Sequence, residues 1–224
     1  MANERFPKSA GFANGSRPAP RGYRADRGGM SYREIEREMR TIRALLAPDV
    51  ALNEPASGVQ LFERIDTWRF PTRGGYVDCT YAVKDLPYGT EGRTRFDRDE
   101  GIFVLELACS TYTDLENEVG RARHTLFHEI GHLILHADQL LRISSIPHAQ
   151  AELARTNQHR HFEDTEWQAD ASAAAFAMPA RGLAMIETAN GYLSATLISQ
   201  TFRVSFEAAT NRLSVFTARR SELL

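Results

Sequence analysis

The chain has 224 residues, 42% of them hydrophobic, with 27 Lys and Arg against 29 Asp and Glu for a net charge of -2. That suffices for one core of ordinary size, and a pI near 6.4 gives no global pull toward nucleic acid or a membrane surface. No apolar run approaches the roughly 18 residues a membrane helix needs, and the N-terminus lacks a secretory apolar stretch, so a cytoplasmic protein is expected.

Residues 1–30 mix Gly, Pro, Ser and Ala with Arg5, Lys8, Arg17, Arg21, Arg24 and Arg27 against only Glu4 and Asp26, the composition of a disordered basic leader. Ser31 and Glu34 have capping-box spacing, and Ile35, Met39, Ile42 and Leu46 recur on one helical face until Pro48. After the turn at Pro55 to Gly58, a short helix is expected around Val59 to Ile65. The period then changes. Tyr76 to Val83 and Ile102 to Leu107 are rich in β-branched and aromatic residues and predict strands, with Thr94 to Phe96 as a further one. Two cysteines, Cys79 and Cys109, are too few for a disulfide framework and read as reduced core thiols. Neither G-x-G-x-x-G nor G-x-x-x-x-G-K occurs, which leaves a nucleotide site without support.

From about Asn117 to Ala137, Val119, Leu126, Ile130, Leu133 and Ile134 predict a helix that also carries His124, His128, His132 and His136 at four-residue intervals. Residues four apart share a helix face, so adjacent rings of this stripe can meet one ion. Only His128 is followed by a carboxylate. His128-Glu129-Ile130-Gly131-His132 therefore offers two imidazole ligands and, in Glu129, a base for the water such an ion activates. Gly131 costs about 1 kcal/mol relative to alanine inside a helix, and implies that a strand or a substrate comes close there. Arg121 and Arg123 could orient an anionic substrate group, although exposed helix charges are the simpler reading.

A catalytic site of this kind needs a third protein ligand. Asp138 is nearest in sequence, but Leu135 stands where a glycine would let the chain turn back. Glu166 and Asp170 lie four apart in a second helical stretch, Glu166 to Met178, capped by Asp164 or Thr165 and stopped by Pro179. Glu166 can ligate while Asp170 accepts an imidazole N–H and fixes its tautomer; ordinary surface carboxylates are the alternative.

Arg123 to His136 and Glu166-Trp167-Gln168-Ala169-Asp170, continuing through Ala173-Ala174 to Met178-Pro179, resemble the ImmA/IrrE family of metallopeptidases. The family signature joins R-x-T-x-x-H-E-x-G-H-x-x-L-H to E-x-x-A-[ND]-x-x-A-A-x-x-x-M-P. Ser172 stands where the family usually has Phe, and the segment from Leu133 to Thr165, which includes Pro147 and His148, is long. The resemblance implies a zinc peptidase, with manganese as an alternative metal, and carries His128, His132 and Glu166 over as ligands and Glu129 as base. It further implies cleavage of a helix-turn-helix repressor in a phage, mobile-element or stress-response circuit.

The polar segment Ala137 to Glu163 is expected to border the cleft as a lid or substrate-selecting loop, and His159 or His161 is a candidate oxyanion donor. Leu193 to Phe202 and Phe206 to Phe216, joined at Arg203-Val204-Ser205, outline a helix-turn-helix. Its second helix offers Glu207, Thr210, Asn211 and Arg212, too little positive charge to grip phosphates, which favours a structural hairpin over a DNA reader. The expected fold is α+β: a small, mostly antiparallel sheet, a metallopeptidase helix core over residues 31–189, and a C-terminal hairpin over 190–224 packed on the same domain. The rival reading is a non-catalytic metal-binding regulator that binds DNA or a repressor partner.

Overall fold

The computed structural model describes residues 22–145 and 159–224. Helix α1, Tyr32–Leu46, starts at the expected capping box, with Ser31 and Glu34 each bonding the other's backbone N–H, and buries Ile35 and Met39. A short α2, Gly58–Glu63, follows and leads through a single 3-10 turn into the sheet.

Four strands form that sheet: β1, Arg69–Thr72; β2, Gly75–Lys84; β3, Gly92–Asp97; and β4, Ile102–Ala108. Their order is β1-β2-β4-β3, with β1/β2 and β3/β4 antiparallel and β2/β4 parallel. Two of the three pairings are thus antiparallel, as expected, and the parallel one arises because the chain passes β4's place, builds the edge strand β3 and returns. That return turns at Gly101, whose φ of 70° suits glycine. The central β4 is buried on both faces, through Phe103, Leu105 and Leu107 on one and Val104 and Glu106 on the other. Strand β1 was not legible in the sequence because Pro71 interrupts it, which an edge strand tolerates.

Beyond the sheet lie α3, Cys109–Glu116; α4, Gly120–Leu135; α5, Ala137–Ser144; α6, Thr165–Ala177; α7, Ala180–Asn190; α8, Ala195–Phe202; and α9, Phe206–Leu223. Asp164 caps α6 by accepting from the backbone N–H groups of Glu166 and Trp167. Helices α4 and α6 cross at the centre, and Gly131 is where they touch. A Cβ there would lie 2.1 Å from Ser172 Oγ, so the close neighbour is this second helix rather than a strand or a substrate.

Two expectations change. The leader read as disordered to residue 30 is built into the fold from Gly22 onward: Arg24 bridges to Asp164, Ala25 N donates to Glu163 O, and Ala25 is buried. Residues 1–21 of that leader, and residues 146–158 of the expected lid, lie outside the described residues. Of the two thiols only Cys79 is buried; Cys109 is exposed at the start of α3. Among the described residues no helix is long and apolar enough to cross a membrane.

Candidate metal centre

Helix α4 sets His128 and His132 one turn apart on the face turned toward the start of α6, where Glu166 lies in the first turn. Their donor atoms converge. His128 Nε2 is 3.1 Å from His132 Nε2 and 3.3 Å from Glu166 Oε2, and His132 Nε2 is 3.5 Å from Glu166 Oε1. For an ion bound tetrahedrally at about 2.0–2.1 Å, neighbouring ligands stand about 3.3–3.4 Å apart, so this set of two nitrogens and one carboxylate fits a zinc-sized cation. Asp138, nearest in sequence, is elsewhere: its Oδ1 accepts from Arg73 N at 2.8 Å.

The electrostatics agree with a site built for positive charge. Burial, the largest single influence, disfavours protonated His128, yet Asp170, Glu166 and Glu129 together outweigh it and lift its pKa from 6.5 to about 10. Burial likewise raises the Glu166 carboxyl, but His128 and His132 hold it well below the usual carboxylate range. Without a metal, a proton is the cation that joins the three groups.

Around this triad sit residues that hold it in place. Asp170, one turn after Glu166, lies 2.9 Å from His128 Nδ1, where it accepts the ring N–H and so turns Nε2 toward His132 and Glu166. His132 Nδ1 lies 3.1 Å from His136 Nδ1, and His136 Nε2 lies 3.0 Å from Gln168 Oε1. His136 is buried, and burial together with His132 beside it pushes its pKa down to about 3, which keeps the ring neutral. His124, the exposed end of the stripe, is 3.5 Å from Asp170 Oδ1. With His128 and Asp170 it makes a second grouping of donors, one that includes neither His132 nor Glu166.

Glu129 is buried, and its Oε2 accepts the Thr94 hydroxyl at 2.8 Å. Edge strand β3 therefore holds the carboxylate that follows His128 beside the ligand pair. These groups line a cleft of about 330 Å³ together with Tyr23, Arg93, Leu140 and Ile143. Arg93 is itself paired with Glu106, a fully buried carboxylate that Lys84 and Arg95 also meet. A larger groove, about 720 Å³, begins at His124 and Asp170 and continues between α4, α6 and α9 over Phe127, Ala174 and Val215.

Several sequence candidates prove structural. Arg123 is buried and donates to the carbonyls of Ala56, Phe202 and Arg203, while exposed Arg121 pairs with Glu91. His159 is 3.0 Å from Asp164 Oδ2 and His161 packs on the Trp167 ring; neither is among the residues lining the cleft. In the hairpin, Arg212 turns inward to Glu36 and Met178 O, which leaves Glu207, Thr210 and Asn211 as the exposed remainder of the supposed reading face. Thr94 and Tyr23 were not singled out from sequence, because their distance along the chain from the motif gives no signal; Gln168 stands inside the motif, at a position where the pattern specifies no residue type.

Residues 115–214 match the family model Peptidase_M78, described as the IrrE N-terminal-like domain. That stretch contains both halves of the motif and the hairpin. No curated protein matches the chain. Among solved structures, a Mycobacterium tuberculosis transcriptional regulator matches with a TM-score of 0.46 and 18% identity over 80% of this chain; the chain spans 55% of that structure's length.

Proposed function

We propose that the chain is a zinc-dependent endopeptidase acting on a protein substrate, a helix-turn-helix transcriptional repressor above all. The observation that carries this reading is the convergence of His128 Nε2, His132 Nε2 and the Glu166 carboxylate within one bonding sphere, with Glu129 held alongside by Thr94. A structural metal site has no use for a carboxylate placed as a base; a hydrolytic one does. The match of residues 115–214 to a peptidase family supports the same class of reaction.

In this mechanism His128, His132 and Glu166 hold the ion, zinc by its preference for this mixed nitrogen and oxygen set, with manganese as the alternative. When bound, it supplies Lewis acidity toward the scissile carbonyl and toward water. Glu129 takes a proton from the attacking water and returns it to the leaving amine. Thr94 keeps the Glu129 carboxylate oriented for that transfer, and Asp170 keeps His128 from presenting an N–H to the cation. Specificity for a repressor rests on the family resemblance alone.

The test is to load the protein with zinc, mix it with the repressor encoded nearest to its gene, and look for a single cut. Wild type is expected to cleave, and Glu129→Gln to bind one zinc without cleaving. Cleavage by Glu129→Gln at the wild-type rate would overturn the mechanism.

A further inference from the structure

We propose that His136 and Gln168 are positioning residues, which through an ordered chain of hydrogen bonds fix the tautomer of His132 and aim its Nε2 lone pair at the shared cation. This rests on the metal-site reading but needs no peptidase activity. The chain can be followed from its far end, where the donors are fixed. The side-chain amide nitrogen of Gln168 donates to two carbonyls, Gly28 O and Phe162 O, each at 2.9 Å, and both of its hydrogens are then used. Turning that amide over would set its oxygen against two carbonyl oxygens at the same distance. Gln168 Oε1 therefore faces His136 Nε2 as an acceptor, at 3.0 Å.

An acceptor there requires that His136 carry its hydrogen on Nε2. His136 is buried and its two nitrogens face an amide and an imidazole, with no carboxylate among its hydrogen-bond partners in the described residues, so the ring has one hydrogen to place and its Nδ1 lone pair lies 3.1 Å from His132 Nδ1. His132 must then donate from Nδ1, and its Nε2 is bare. Each of the two candidate ligand histidines thus has its tautomer fixed from behind, by different means: His128 by the carboxylate of Asp170, His132 by a neutral relay. The two Nε2 atoms face each other at 3.1 Å, so that one cation can sit against both.

The relay also gives the N-terminal segment a part in the site. Gly28 is one of the two carbonyls that set Gln168, and Met30 N donates to Phe162 O, the other. The same segment is tied to α5 and α6 by Asp26 N donating to Gln139, Arg142 paired with Asp26, and Tyr23 N donating to Thr165. Residues 22–30 and the start of α6 are in this way joined to the metal-facing edge of α4 through polar contacts.

The experiment uses the full chain labelled with ¹⁵N in its histidines and stripped of metal, and reads each ring's protonated nitrogen from two-bond ¹H–¹⁵N correlations. Wild-type His132 is expected to carry its hydrogen on Nδ1 with Nε2 bare. His136→Asn, whose side-chain oxygen falls near the lost Nδ1, is expected to keep that tautomer and near wild-type zinc affinity. His136→Leu is expected to lose the tautomer preference and bind zinc about 10–100-fold more weakly in chelator competition. A wild-type His132 protonated on Nε2, or equal zinc affinity in the Asn and Leu variants, would overturn the proposal. The wild-type spectrum decides the matter even if the Leu variant does not fold.

Discussion

Helices α4 and α6 carry two polar clusters at opposite ends of their crossing, and the clusters differ in what satisfies them. At one end are His128, His132, Glu166 and Asp170. At the other, Arg43 donates to Phe176 O and Arg212 to Met178 O at the end of α6, while Arg123 binds Phe202 O and Arg203 O at the end of α8. Those carbonyls are the free acceptors that every helix C-terminus leaves, and a guanidinium both satisfies them and suits the negative end of the helix dipole. In the arginine cluster each of these carbonyls has a donor, while the buried Arg43 Nε and Arg123 Nε stay without an acceptor among the described residues. Burial pushes the pKa of Arg43 and of Arg123 down to about 10, still cationic at neutral pH, and Arg212 has Glu36 as its counter-ion. The histidine cluster is open: two imidazole nitrogens and one carboxylate face a common point in the cleft. Burial of charge alone does not mark a functional site; metal-ligating atoms gathered around one point do.

The largest effect that tests this contrast comes from the open cluster. Glu166→Ala is expected to abolish stoichiometric zinc, read by elemental analysis after desalting. Breaking the arginine cluster should instead spare zinc and cost stability. Arg212→Ala strands the buried Glu36 carboxylate and is expected to cost about 3–5 kcal/mol in urea unfolding while zinc affinity stays unchanged. A parallel fall in zinc affinity would show that the clusters are one unit.

Smaller changes resolve the open cluster further. Asp170→Asn is expected to weaken zinc binding about 10–100-fold, since an amide oxygen holds the His128 N–H less firmly than a carboxylate. Thr94→Val removes one hydrogen bond from Glu129 and is expected to lower kcat about tenfold, worth about 1.4 kcal/mol, with zinc affinity retained.

The pH dependence should differ between the metal-free and metal-loaded states. With metal removed, folded His128 keeps its proton up to about pH 10 while the unfolded ring loses it near 6.5, so the folded state binds more protons and stability falls as pH rises across that window. The Glu166 contribution is already complete above its ordinary 4.5 and is lost only as pH falls below that value. Zinc displaces the His128 proton, so apparent zinc affinity rises with pH instead. Thermal melts at pH 6.5 and 9.5, with and without zinc, check the sign; equal slopes would argue against a cation held at His128.

Much of the open cluster was legible from sequence because its donors belong to two helices with strong local signals. The four-residue spacing of the histidines, the Asp164 cap and the Glu166/Asp170 pair each needed only a short window. What completes the site came from farther away. Thr94 reaches Glu129 across 35 residues, and Gln168 takes its orientation from Gly28 across 140. Arg123 shows the opposite failure: a charge on a helix reads as solvated until the carbonyls it serves, about 80 residues on, are in view. Gly131 announced a close approach correctly, but a glycine does not name its neighbour. Helices α3 and α5 escaped prediction for a simpler reason: each runs on from another element with no glycine or proline to separate them.

The most direct test is the position of the metal itself, from anomalous scattering at the zinc edge in crystals of the zinc-loaded protein. One peak is expected about 2.0–2.2 Å from His128 Nε2, His132 Nε2 and a Glu166 oxygen. A peak bound elsewhere, or one from which Glu166 turns away with no other carboxylate in its place, would contradict the account.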